Sequence, residues 1–207
     1  NLTYRDQKNN KENNENFIFD DLLNKNKISS FLNKIDAVVI LAGLVGDPIT
    51  KKYPKYSKKV NETGLKFIIK QTFKNQIKKL IFISTCSNYG KIAKGKTADE
   101  LNILNPLSAY AKSKVKIEKY ILTFKNKYNH TTPTILRFAT AFGHSDRMRF
   151  DLTINQFILE MFSKNKIKVY DKSTWRPYCH VKDFARLINI VLNANKKKVY
   201  FEIFNAG

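Results

Sequence analysis

Leu80-Ile81-Phe82-Ile83-Ser84 is an unbroken apolar run that opens onto hydroxyls and a turn, Thr85-Cys86-Ser87-Asn88-Tyr89-Gly90. A strand that is apolar at every position is covered on both faces, the condition of a strand inside a parallel sheet. Asp36-Ala37-Val38-Val39-Ile40-Leu41-Ala42, a nearly continuous apolar run, precedes it, and Thr134-Ile135-Leu136-Arg137-Phe138 returns as a strand after Pro133. Helical spacing fills the gaps: a loose pattern over 22–32, a long helix over 56–74, and another over 108–128. In the last, Ile117, Ile121, Phe124 and Tyr128 share one stripe. Strand and helix alternate, which calls for right-handed βαβ units. The predicted fold class is α/β, a doubly wound parallel sheet.

Further from that centre the reading changes. Residues 1–16 are polar and charged, and Phe17-Ile18-Phe19 reads as a short strand. After Gly143 an arginine-bearing loop (146–150) leads into a helix over 152–163. Short strands are expected at Ile167–Tyr170 and Pro177–His180, then a helix over 181–192 and a strand-like run over Val199–Phe204.

The chain has 207 residues, 43% hydrophobic, which suits a packed core and not a disordered segment. No apolar run reaches the roughly 18 residues of a membrane-crossing helix, so no membrane partner is expected. Cys86 and Cys179 are far apart, and with no apolar leader the expectation is a reduced, cytoplasmic protein. The three histidines have no ligand spacing, so no metal is expected. The unusual number is the net charge, +21. Of 38 basic residues 32 are lysine, spread over every segment and joined by 22 asparagines. Recognition of phosphates and bases concentrates arginine, whose planar fork binds bidentately. The charge is therefore read as a compositional bias, and no nucleic-acid partner is expected.

The sharpest motif is Tyr110-Ala111-Lys112-Ser113-Lys114. Positions i and i+4 of a helix share a face, so phenol and ammonium can share a site. A free phenol titrates near 10, and a neighbouring cation lowers that value toward usable acid/base range. Alone, the motif is cheap in a chain so rich in tyrosine and lysine. Its context is not: hydroxyls at the carboxyl end of a strand in an open parallel sheet lie at the crevice where ligands bind.

In that order, strand, hydroxyls, Tyr-x-x-x-Lys and the Leu136–Gly143 strand, the chain resembles the extended short-chain dehydrogenase/reductase family of nucleotide-sugar epimerases, dehydratases and reductases. Asp36 to Gly43 resembles its D-x-V-x-x-x-A-A/G segment, and Asn61-Glu62-Thr63-Gly64 its N-x-x-G turn. Ser84 to Gly90 is similar to S-S/T-x-x-x-Y-G, Arg137 to Gly143 to the R-x-x-N-x-x-G end of its L-R segment, and Arg176 to Asp183 to R-x-Y-x-H-V-x-D. Thr140 stands where many members carry Asn.

The resemblance implies a site. Tyr110 would exchange a proton with a sugar hydroxyl, Lys114 would lower the pKa of Tyr110 and hold the nicotinamide ribose, and Thr85 would bond the reacting oxygen. Asp21, Leu22, Ala42, Gly43, Leu44 and Ala141, with Tyr110 and Lys114, would bind the cofactor, NAD or NADP with NAD favoured. Thr140, Arg147, Arg149, Asn155 and Arg176 would bind a nucleotide-sugar substrate, with Arg176 on the diphosphate. Residues 1–143 would then be a Rossmann-like cofactor-binding region and 144–207 mainly a substrate-binding region with returning core elements. The two long helices imply a homodimer through a four-helix bundle. Cys86 and Ser87 occupy the places of the dehydratases' acid pair, which disfavours elimination of water. No G-x-x-G-x-x-G loop occurs in the sequence, so a fragment lacking the first βαβ unit is expected. Plainer roles stand beside these: Thr85 as a strand-end hydroxyl, Asp21 as a helix cap, Gly43 in an ordinary tight turn, Arg176 on a strand edge. The alternative to an enzyme is an inactive binding or structural module of the same fold.

Overall fold

The computed structural model describes residues 20–146, 148–169 and 172–207. Helix α1 (Lys25–Leu32) begins at Asn24, whose side chain accepts from the Lys27 amide. Strand β1 (Ala37–Ile40) is followed by α2 (Asp47–Lys52) and α3 (Pro54–Lys58), then a π-helical turn (Lys59–Gly64) that runs directly into α4 (Leu65–Lys74). Strand β2 (Lys79–Thr85) closes on a 3₁₀ turn, Cys86–Tyr89. Next come α5 (Ala109–Leu122), β3 (Thr132–Phe138), β4 (Thr140–Phe142), α6 (Thr153–Lys164), β5 (Tyr178–His180), α7 (Val181–Asn193), α8 (Lys196–Val199) and β6 (Glu202–Ala206).

Four strands form one parallel sheet in the order β1-β2-β3-β6. Successive residues point to opposite faces, and both faces are apolar. Leu80, Phe82 and Ile135 pack against Ile28 and Leu32 of α1, Leu65, Ile69 and Phe73 of α4, and Ile117 and Ile121 of α5. Ile81 and Leu136 pack on the other side against Val191 of α7 and Val199 of α8. β4 and β5 form a separate parallel pair beyond the end of β3. Among the described residues no helix is long and apolar enough to cross a membrane.

The expected strands and helices are present with shifted bounds, each for a local reason. β1 keeps four of seven residues because it is the sheet edge among the described residues; Ala37, Val38 and Val39 are half-buried and Leu41 is exposed. The helix over 108–128 ends at Leu122, where the Thr123 hydroxyl donates to the Tyr120 carbonyl and a chain of turns, with Asn126 at φ 67°, carries on to Tyr128. Residues 167–169 are not a strand: the Lys168 amide donates to the Glu160 carboxylate of α6 instead of to a ladder. The run over Val199–Phe204 splits into a helical turn capped by Asn195 and a strand from Glu202, with Phe201 at φ 56° between them. The expected strand Phe17–Phe19 lies outside the described residues.

The π-helical turn has an evident purpose. Asn61, almost fully buried there, receives the Leu44 amide on Oδ1 at 2.8 Å and donates Nδ2 to the Leu44 carbonyl at 3.0 Å. One side-chain amide thus takes both backbone groups of a residue in the loop after β1. Asn61→Ala in the full-length protein is expected to cost about 2 kcal/mol, since it strands two backbone groups. The check is a lower denaturant midpoint at unchanged slope; an unchanged midpoint would mean the clamp is idle.

Candidate functional site

The carboxyl ends of β1 to β3 converge on one rim, and the candidate residues come from the segments that leave it. β2 ends at Thr85, which caps the following turn by accepting the Ser87 amide on Oγ1 at 3.2 Å. That turn closes at Gly90, φ 73°, where a Cβ would run into the Asn105 carbonyl oxygen. A side chain there would push apart the turn and the 91–107 loop that leads to α5. α5 itself starts at Ser108, whose hydroxyl accepts the Ala111 amide, so Tyr110 falls in its first turn and Lys114 in its second.

Tyr110 and Lys114 do share a face, with the ammonium 5.7 Å from the phenol ring centroid and 4.7 Å from that of Phe82. Lys114 is 5% exposed and its Nζ donates to the Ile83 carbonyl at 2.7 Å. Burial drags its pKa down to about 8, while the Glu118 carboxylate one turn further pulls it back up. Tyr110 moves the other way. Burial pushes the phenol up to about 12, the Cys86 thiol adds to that, and the Arg149 guanidinium opposes it. The lowered phenol that the motif predicts is not what this geometry yields, because desolvation outweighs the charge of Arg149. The Tyr110 phenol is therefore neutral near pH 7.

Arg149 and Arg176 reach toward this centre from the later part of the chain. Arg149 grips Asp151 through Nε at 2.9 Å and Nη2 at 2.5 Å, and its charge acts on Tyr110. Arg176 donates Nε to the Thr140 hydroxyl at 2.6 Å, and its charge draws the Cys86 thiol down against the larger effect of burial. Asn155, almost fully buried, receives the Gly143 amide and donates to the Arg149 carbonyl, so it pins the loop that carries Arg149. Ala141 lies mid-strand in β4 opposite Cys179. Arg147 lies outside the described residues.

On the other flank, Ala42 and Gly43 follow β1 directly, and Leu44 is held by Asn61. Gly43, at φ 149°, sits where a Cβ would be 2.9 Å from the Asn61 oxygen. Asp21 accepts the Leu23 amide at 2.9 Å and the Tyr56 hydroxyl at 3.1 Å, while Asn24 takes the helix cap. Leu22 packs against the larger core cluster.

One feature was not singled out from the sequence: Glu118, at i+4 from Lys114, buried against Arg137. The spacing Tyr110, Lys114, Glu118 continues one helical face and was the available signal.

A sequence model of the NAD dependent epimerase/dehydratase family matches residues 1–207. The UDP-glucuronate 4-epimerase of Thermodesulfobacterium geofontis is 28% identical over 177 residues, 84% of this chain and 51% of that protein. The chain thus spans about half the length of the curated relatives it matches. The UDP-glucuronic acid 4-epimerase of Bacillus cereus, solved with UDP-glucuronic acid and NAD, superimposes with TM-score 0.83 at 25% identity, covering 100% of this chain and 63% of that one. The dTDP-glucose 4,6-dehydratase DesIV of Streptomyces venezuelae shares the fold at TM-score 0.81 and 18% identity, over 98% of this chain and 61% of its own.

Because the buried ammonium of Lys114 costs stability, Lys114→Met in the full-length protein should be more stable than the parent below pH 8, by up to about 3 kcal/mol. The sign follows from linkage: the folded state holds the proton less tightly than the unfolded one, so the cost is complete below about 8 and gone above the unfolded value of 10.5. Thermal melts from pH 7 to 10.5 should show the two proteins converging; a constant gap would refute a charged, buried Lys114.

Proposed function

The chain belongs to the NAD dependent epimerase/dehydratase family, and from that premise we propose that it carries the acid/base centre of an oxidoreductase or epimerase acting on a nucleotide-activated sugar. The observation that carries this reading is the pair on α5: a desolvated phenol and a desolvated ammonium one turn apart, with the Thr85 strand end against the same helix. In that role Tyr110 exchanges a proton with a sugar hydroxyl, Thr85 bonds the same oxygen, and Lys114 holds positive charge beside the phenol.

The dinucleotide supplies the hydride acceptor and donor when bound. The residues present fit it: Ala42 and Gly43 leave the rim above β1 without bulk, Leu44 is fixed by Asn61, and Lys114 offers a cation with donors to spare. Asp21, Leu22 and Ala141 complete the set that would hold it. Arg176 and Arg149 place two forked cations beside the centre, which suits the diphosphate of the sugar nucleotide, with Thr140 orienting Arg176 and Asn155 supporting the Arg149 loop. Cys86 and Ser87 beside Thr85 provide no carboxyl acid for elimination, which favours epimerisation or simple oxidation over dehydration. The paired helices, α3–α4 and α5, are the faces through which two copies would form a four-helix bundle.

Tyr110→Phe in the full-length protein is expected to lower turnover of a UDP-sugar by about 10²–10⁴-fold while binding persists. Arg176→Ala should instead raise KM about tenfold or more, as loss of a charge-assisted bond does. Stopped assays for sugar interconversion and for reduced nicotinamide check both; near-normal turnover in Tyr110→Phe removes the mechanism.

A further inference from the structure

The polar cluster under α5 is larger than an acid/base pair needs. Glu118 is 2% exposed and Arg137 3%. Arg137 donates Nη2 to Glu118 Oε2 at 2.7 Å and Nε to Oε1 at 3.2 Å. Its Nη1 donates to the Tyr89 hydroxyl at 2.8 Å, and that hydroxyl donates to Asn205 at 2.7 Å. On its other side the Glu118 carboxylate receives the Ser84 hydroxyl and the Asn88 side-chain amide, the latter at 2.7 Å. Asn88 also donates to the Ser84 oxygen at 3.0 Å.

We propose that Glu118 is the positioning residue of this site, locking the helix that carries Tyr110 and Lys114 to the strand end that carries Thr85 and setting a counter-charge beneath the Lys114 ammonium. The inference rests on the acid/base reading of Tyr110 and Lys114. One turn apart on α5, Lys114 and Glu118 grip consecutive residues of β2, the Ile83 carbonyl and the Ser84 hydroxyl. A slip of α5 along the sheet would break both, so the spacing between Thr85 and the pair is held by these bonds. A buried ion pair is poor value as a stabiliser, since an apolar pair of equal volume does as well or better. What the apolar pair could not do is hold charge near Lys114. Among the described residues the titratable groups beside Lys114 are Glu118 and Tyr110 on its own helix, with Arg137 on β3 bonded to the Glu118 carboxylate; Cys86, in the turn after β2, acts on Tyr110. Glu62 of the π-helical turn is paired with Lys116.

The test uses Glu118→Gln in the full-length protein, with Glu118→Asp as the conservative control. Because Gln leaves Arg137 buried without a counter-ion, the double variant Glu118→Leu/Arg137→Met provides a form expected to fold. The readouts are the Lys114 side-chain NMR titration, identified by its loss in Lys114→Arg, and the pH profile of turnover of a UDP-sugar. The proposal expects the Lys114 midpoint to fall below about 8 by about one unit. It expects kcat to fall with the protonated fraction of Lys114, by about twofold near pH 7 and about fivefold near pH 8, with KM within about twofold and partial recovery in Glu118→Asp. A Lys114 midpoint unmoved in a folded variant overturns it, as does unchanged kcat when the midpoint has moved. Full activity of Tyr110→Phe would overturn the acid/base reading alone, and leaves the midpoint measurement to decide the link between Glu118 and Lys114.

Discussion

One buried carboxylate has two cations for neighbours, and the rim of the sheet is organised around that imbalance. Glu118 faces Arg137 directly and Lys114 one turn away, all three within a few per cent of complete burial. Taking such charges from water is costly, and the cost is offset only where each polar atom finds a partner. Here the partners are Ser84, Asn88, Tyr89 and Asn205, drawn from β2, the turn after it and β6. The elements that must meet for the proposed chemistry are therefore the same elements that must meet to satisfy the buried charge. Misplacing α5 or β3 leaves an unpaired ion in a low-dielectric interior.

That coupling also explains why the two groups on α5 have shifted in opposite directions. Desolvation penalises whichever form is charged, so it raises a phenol and lowers an ammonium. With the phenol near 12 and the ammonium near 8, the phenol is neutral near pH 7 and the ammonium is still mostly charged but loses its proton far more readily than a free lysine. Arg149 works against the rise at Tyr110, and Glu118 against the fall at Lys114. A charged residue on the same helix and one from a later segment thus act as counterweights to burial.

The parts legible in the sequence were those set by period and by strand ends. A continuous apolar run announced β2 because both faces are covered, and β3 was legible as the strand that returns after Pro133. Tyr110 and Lys114 share a face because helical geometry requires it, whereas the bond from Arg176 to Thr140 had no signal in the sequence. What was illegible was decided by tertiary partners. The extended run at 167–169 lost its strand because Glu160 offered a closer acceptor. β1 lost its double burial because one flank has no neighbour among the described residues. Glu118 looked like one more charge on a lysine-rich helix: its spacing put it on the face of Tyr110 and Lys114, but nothing in that spacing says that it will face Arg137 19 positions later.

The surface charge and the site charge are different matters. A net +21 spread over lysines that are mostly exposed raises the potential everywhere and directs it nowhere. The exposed ion pairs, such as Lys78 with Asp36, sit in water and contribute little. Selectivity for an anionic ligand has to come from cations whose positions are fixed: Arg176 on the Thr140 hydroxyl, Arg149 on Asp151. Both are arginines in a chain with only six. Their planar forks hold one orientation on these partners, which a lysine ammonium would not.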